Sequence, residues 1–227
     1  YLNRDRAEPE DTITLTIEAS EPLDYLGLEE VSMSGSRVSI SSVAESDEGR
    51  TWVATGTVVA SSDSDELLSY SIVSFQDEAG NSGTTPIPPI EYDGADPIVI
   101  DTIAPEITSV TASLAKSDTT SMYLNRDRAE PEDTITLTIE ASEPLDYLGL
   151  EEVSMSGSRV SISSVAESDE GRTWVATGTV VASSDSDELL SYSIVSFQDE
   201  AGNSGTTPIP PIEYDGADPI VIDTICP

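Results

Sequence analysis

The side chains of this chain that can do chemistry are almost all oxygen donors, and they gather in turns. Ser-Glu-Pro turns carry Glu21 and Glu143, the latter with Asp146 three residues on. Asp-Glu-Ala-Gly-Asn turns carry Asp77 with Asn81, and Asp199 with Asn203. Asp101 and Asp223 each stand in a Val-Ile-Asp-Thr-Ile run. Carboxylate and amide oxygens brought together in loops suit a hard cation, and calcium takes about 6–8 of them at roughly 2.3–2.6 Å. Softer metals find nothing to hold, because the chain has no His and a single Cys, Cys226. The same absences leave no nucleophile–base pair. No phosphate loop or dinucleotide fingerprint occurs. Carboxylate pairs of the kind that hydrolyse glycosides can be drawn almost anywhere among 44 acidic residues, so none stands out. The chain is not expected to be an enzyme or to take a small-molecule substrate.

Strands must position these turns. Residues 12–19 (TITLTIEA) alternate with period 2 and are rich in β-branched side chains; residues 24–33, 37–43, 51–60 and 67–76 behave alike. Turn clusters SEP, SGS, ESDEGR, SSDSDE and DEAGNSG separate them. Residues 86–96 (PIPPIEYDGAD) hold too much Pro for a central strand and read as an edge or polyproline-like excursion. Residues 107–115 (ITSVTASLA) supply one more strand. Short strands at roughly 8–12 residue spacing predict an antiparallel β-sandwich, and no segment of helical period competes. Trp52 and Trp174, both mid-strand, are expected in the core and not on a sugar-stacking platform.

All of this is written twice. Residues 1–105 return as residues 123–227, with Ala104 against Cys226 as the single difference, and residues 106–122 occur once. A period of that size is a whole domain and not a solenoid repeat. The 44 acidic residues face 9 basic ones, a net charge of −35, which repels nucleic acid and anionic membranes. No apolar run is long enough to insert into a membrane. A hydrophobic share of 37% is enough for small cores. Cys226 can form no internal disulfide and reads as an inert thiol, an attachment handle or a natural variation.

DTIAP at Asp101, SEP at Ser142, GRTW at Gly171 and DEAGN at Asp199 follow one another in an order that resembles the bacterial immunoglobulin-like repeats of very large surface proteins. Among these are the extender regions of repeats-in-toxin adhesins. The resemblance covers the whole repeat. It implies an all-β protein of two tandem Ig-like antiparallel β-sandwich domains forming an elongated rod. It also implies an extracellular place at the cell surface, calcium as the stabilising ion, and neighbouring identical repeats as partners. In that family DTxAP marks the junction between domains. The expected domains are therefore 1–101, lacking its first strand, and 102–227, complete and carrying the start of the next junction. Residues 107–115 are expected to pair within the second copy, leaving the first with an exposed or borrowed edge.

Sandwich topology then sorts the acidic loops, because successive antiparallel strands place their loops at alternating poles. Glu143 and Asp146, then Glu167, Asp169 and Glu170, then Asp199, Glu200 and Asn203 share the pole where Asp101 enters the second copy. The first copy offers that junction its opposite pole, with Asp5, Glu8, Glu10, Asp11, Asp63, Asp65 and Glu66. Like charges a few Å apart cost about 1 kcal/mol per pair in water, and calcium removes the penalty. The expected ligands are Asp101, Glu143, Asp146, Asp199 and Asn203, with Glu21, Asp77, Asn81 and Asp223 as their counterparts. The SSDSDE loops read as solvated charge. Lys116, the only lysine, invites a Lys–Asn isopeptide crosslink, but one lysine for two copies is no repeated device. The leading reading is a structural spacer. A binding module would show aromatic residues in its polar loops, where only Tyr25 and Tyr92 stand nearby. A surface-layer or filament protein of a halophile would share the acidity and need lateral contacts.

Overall fold

A computed structural model describes residues 5–83, 87–94, 96–117, 127–184, 186–205, 209–216 and 218–224; Cys226 and, of the Pro-rich stretch, Pro86 and Ala95 lie outside these. The period-2 patterns become strands whose apolar face turns inward. In Thr51–Val58, Trp52, Ala54, Gly56 and Val58 are buried and the residues between them half-exposed. In Thr12–Glu18, Ile13 and Leu15 are buried between exposed threonines. The two strands pair antiparallel, with Ile17 opposite Trp52. Val38–Ser46 extends the sheet across a bulge between Ile40 and Ser42.

The chain folds as two compact units, Leu2–Ile103 and Ala104–Pro227, each an all-β sandwich around its own apolar core. Gly157–Arg159 is the one helical turn among the described residues. No helix there is long and apolar enough to cross a membrane.

Two strands expected to be continuous are broken. Residues 24–33 divide into Leu23–Tyr25 and Val31–Met33. Between them the Gly27 N–H donates to Glu30 Oε2 at 3.0 Å and the Glu30 N–H to Gly27 O at 3.3 Å, closing a turn. Residues 67–76 fall into Glu66–Leu67, Tyr70–Ile72 and Gln76–Asp77. Each piece pairs elsewhere: with Val99–Ile100, Val31–Met33 and Leu23–Tyr25 respectively. Alternation along the sequence does not distinguish one long strand from a chain that changes sheet midway.

Residues Ile107–Ala115 form a strand of the second unit. It lies antiparallel to Thr134–Ala141, Val110 opposite Ile139 and Ala112 opposite Leu137. Its other edge runs parallel to Ile212–Tyr214. In the first unit Thr12–Glu18 closes its sheet as an edge, and the counterpart residues 90–92 are in no strand.

Candidate metal centre

At one pole of the second unit, Leu145–Tyr147 pairs antiparallel with Gln198–Asp199, Leu145 opposite Asp199. Glu143 precedes Leu145 by two residues, and the pairing sets a carboxylate oxygen of Glu143 within 4.8 Å of one of Asp199. Asp199 is 1% exposed and organises its turn. Its Oδ1 accepts the N–H groups of Gly202 at 2.8 Å and Asn203 at 2.9 Å, and Oδ2 accepts Asn203 Nδ2 at 2.9 Å. Asn203 is buried as well, and Asp146 half-buried. The strand entering the unit reaches this pole: the Glu106 N–H donates to Ser142 Oγ at 2.9 Å and the Ser142 N–H to Glu106 O at 2.8 Å.

The Asp169–Gly171 turn completes the pole. Asp169, Glu170 and Gly171 are left-handed in succession, with φ of 55°, 51° and 81°. At Gly171 a Cβ would lie 3.2 Å from Leu145 O, a position glycine alone fills without strain. The Gly171 carbonyl accepts the Leu145 N–H at 3.0 Å and Trp174 Nε1 at 2.9 Å, so one peptide group ties the turn to core and pole. Trp174 is buried, edge-on to Tyr147 at 6.4 Å. Arg172 donates to Ser142 O at 2.6 Å. The SEP, DEGR and DEAGN turns thus converge, and the side-chain donors they offer are carboxylates and an amide. That set fits calcium and offers nothing to a softer metal.

The same turns of the first unit are more open. Glu21 and Asn81 are exposed and Asp77 half-exposed. Asp77 still accepts the Asn81 N–H at 2.8 Å and Asn81 Nδ2 at 2.7 Å. The Asn81 side-chain amide, then its N–H, hold the Asp77 carboxyl below the usual carboxylate range.

The opposite pole of each unit holds arginines that a reading of the acidic residues alone passes over. Asp101 is fully buried and accepts Arg6 Nε at 2.9 Å and Nη2 at 2.7 Å; the same Nη2 reaches Asp65 at 2.5 Å. Burial, then the charge of Asp101, push the Asp65 carboxyl up, and Arg6 opposes them. Arg128 repeats the arrangement, bridging Asp187 and Asp223, the latter at 3.0 and 2.8 Å. Arg37, 6% exposed, donates to Thr102 Oγ1 at 2.8 Å and to Ser64 O. Two of the expected ligands, Asp101 and Asp223, therefore each have an arginine of their own unit. The available signal was scarcity: with 9 basic residues against 44 acids, each base has many carboxylates to choose from.

Lys116 is another such base. Its Nζ donates to Asp133 Oδ2 at 2.9 Å and to Arg128 O. Asp133, 2% exposed, also accepts the Glu130 N–H at 2.8 Å, the Ser117 N–H at 2.8 Å and Ser117 Oγ at 3.1 Å. Burial raises this carboxyl, but Lys116 and the two N–H groups outweigh it and hold it below the usual range. The lysine's partner is an ionised aspartate, not an asparagine.

The family model described as "Bacterial Ig-like domain" matches residues 2–92 and again 101–214. No curated protein matches the chain. Among solved structures, an endo-fucoidan hydrolase of glycoside hydrolase family 107 aligns at 12% identity and a TM-score of 0.25. That alignment covers 97% of this chain and 27% of the other, a likeness too slight to bear on fold or chemistry.

Proposed function

This chain belongs to the bacterial Ig-like domain family, and on that footing we propose that its two repeats are spacers of a large cell-surface adhesin, outside the cell and without enzymatic activity. Calcium at the junctions between repeats stiffens the array, and the array holds a distal adhesive region away from the surface. The observation that supports calcium is the Glu143–Asp199 pair, two carboxylates within 4.8 Å beside the buried Asn203. Such proximity is repulsive, and more so where water is excluded. A divalent cation with oxygen preference turns it into attraction. Asp101, three residues ahead of Ala104 in the chain, is the proposed ligand from the preceding repeat.

Thermal melting tests this reading. An ion held only by the folded state adds about 2.7 kcal/mol at a hundredfold excess over Kd. Millimolar calcium is expected to raise Tm clearly over chelator, and magnesium, which dehydrates reluctantly, to raise it less. Glu143→Gln, which removes a charge and leaves the Asp199 turn intact, should abolish most of the rise. Small-angle scattering should give a larger maximum dimension with calcium than with chelator. Equal melts and equal dimensions in both would remove calcium from the account.

A further inference from the structure

We propose that Arg6 and Arg37 form a clasp that fastens Asp101 and Thr102, at the end of the first unit, to the loop of residues 61–65, leaving residues 103–105 as the joint of the chain. Both fastened residues are enclosed: Asp101 is fully buried and Thr102 is 8% exposed. Arg6 directs Nε and Nη2 at Asp101 Oδ2, at 2.9 and 2.7 Å, and the same Nη2 reaches Asp65 in the loop at 2.5 Å. Arg37 grips the next residue, its Nη2 donating to Thr102 Oγ1 at 2.8 Å while its Nη1 donates to Ser64 O. The Thr102 hydroxyl in turn donates to Ser61 O at 3.2 Å. The loop is closed on itself, with Ser61 Oγ donating to Asp63 Oδ2 at 2.8 Å and accepting the Asp63 N–H at 3.1 Å. A stretch that reads from sequence as solvated charge is thus the fixed jaw of the clasp.

The grip on Thr102 follows from where Arg37 sits. Arg37 is 6% exposed, and Ser64 O, Thr102 Oγ1 and, at 3.4 Å, Ile100 O stabilise its charge as neutral dipoles. A buried guanidinium that gives up such a partner keeps the cost of its desolvation, so releasing Thr102 is unfavourable. Past the clasp, the chain crosses into the second unit at Ala104. Pro105 has a fixed φ and turns Ala104 away from helical backbone. The Glu106 N–H then donates to Ser142 Oγ at 2.9 Å, which ties the chain to the second unit. The joint is therefore three residues long, and one of them is a proline. This inference does not rest on the calcium reading and is tested in chelator.

The test is hydrogen exchange of the full chain in chelator, read by mass spectrometry with fragmentation to single residues. Ala104 against Cys226 tells the peptide of interest from its repeat. The reporters are the Asp101 N–H, which donates to Ala7 O at 2.9 Å, and the Ile103 N–H, which donates to Asp101 Oδ1 at 3.4 Å. Slow exchange is expected at both in the unaltered chain. Thr102→Val keeps the shape of the side chain and removes its hydroxyl, and exchange at both reporters should rise about tenfold. Val58→Ala is the control, since Val58 lies in the core of the same unit. It should speed exchange along Thr51–Val58 and leave the two reporters unchanged. Reporters that exchange in the unaltered chain as fast as an unstructured peptide would overturn the clasp. So would reporters indifferent to Thr102→Val, or reporters that respond equally to both substitutions, because residues 101–103 would then open only with the core.

Discussion

Ile17 and Ile139 are the same residue of the same repeat, yet Ile139 is fully buried and Ile17 only partly so. Ile72, Phe75 and Ile98 are likewise half-buried, while Ile194, Phe197 and Ile220 have joined the core of the second unit. Asp11 lies exposed; Asp133 is enclosed by a lysine and three further donors. Nothing in the repeated sequence accounts for these differences. They come from Ile107–Ala115 and the two residues after it, which the second unit has and the described residues of the first lack. One strand contributes Ile107, Val110 and Ala112 to the core, finishes the burial of side chains on neighbouring strands, and brings the cation that an interior carboxylate requires. Burial here is a property of the assembled sheet and not of the residue.

Single-tryptophan backgrounds let that comparison be broken one copy at a time, because Trp52 and Trp174 each report on one unit. The largest effect is expected from Val110→Asp with Trp174 as reporter. A carboxylate at a fully buried position should cost the second unit about 4 kcal/mol or more in urea unfolding, bringing it to or below the first. Next comes Lys116→Met, which strands the Asp133 charge. Removing one partner of a buried pair costs about 3–5 kcal/mol, with the lower end expected because Ser117 and Glu130 still donate to Asp133. The first unit should not respond.

The same pair predicts a pH dependence. The folded Asp133 carboxyl is held below its ordinary value. Its contribution is therefore present in full above the unfolded pKa, about 3.9, and is lost as pH falls through the folded value. Acid titration of the second unit's stability should show this loss, and Lys116→Met should flatten it. A smaller contrast comes from one substitution made in each copy: Ile139→Ala should cost about 3 kcal/mol and Ile17→Ala about 1, because the cavity term applies fully only where packing is complete. Smallest of all is Asp11→Asn, expected within about 0.5 kcal/mol as for other exposed sites. A large effect there would mean that Asp11 is held by more than the Glu8 N–H that donates to its Oδ2 at 3.2 Å.

The sandwich class was legible because period-2 alternation and turn residues are local signals, and Thr12–Glu18 and Thr51–Val58 show them plainly. The breaks at residues 26–30 and within 67–76 were not, since a change of sheet leaves alternation undisturbed. At the candidate centre, the turns of Glu143, Asp199 and Asn203 were placed at one pole by strand direction alone. The role of Arg6, Arg128 and Lys116 was hidden, because which carboxylate a base chooses depends on contacts up to 95 residues apart along the chain.

The short pairing of Arg6–Ala7 with Val99–Ile100 has a mechanical consequence. The two strands are parallel, with the Val99 N–H donating to Asp5 O at 2.7 Å and the Asp101 N–H to Ala7 O at 2.9 Å. A pull on the N-terminal side of Arg6–Ala7 and on the C-terminal side of Val99–Ile100 draws these strands past each other lengthwise. Their hydrogen bonds are then loaded in shear, all together, and do not peel apart one after another. The second unit has the same clamp at Arg128–Ala129 with Val221–Ile222, and a longer one where Ile107–Ala115 runs parallel to Ile212–Tyr214. Load applied across such a pair meets resistance in these clamps before it reaches the core behind them.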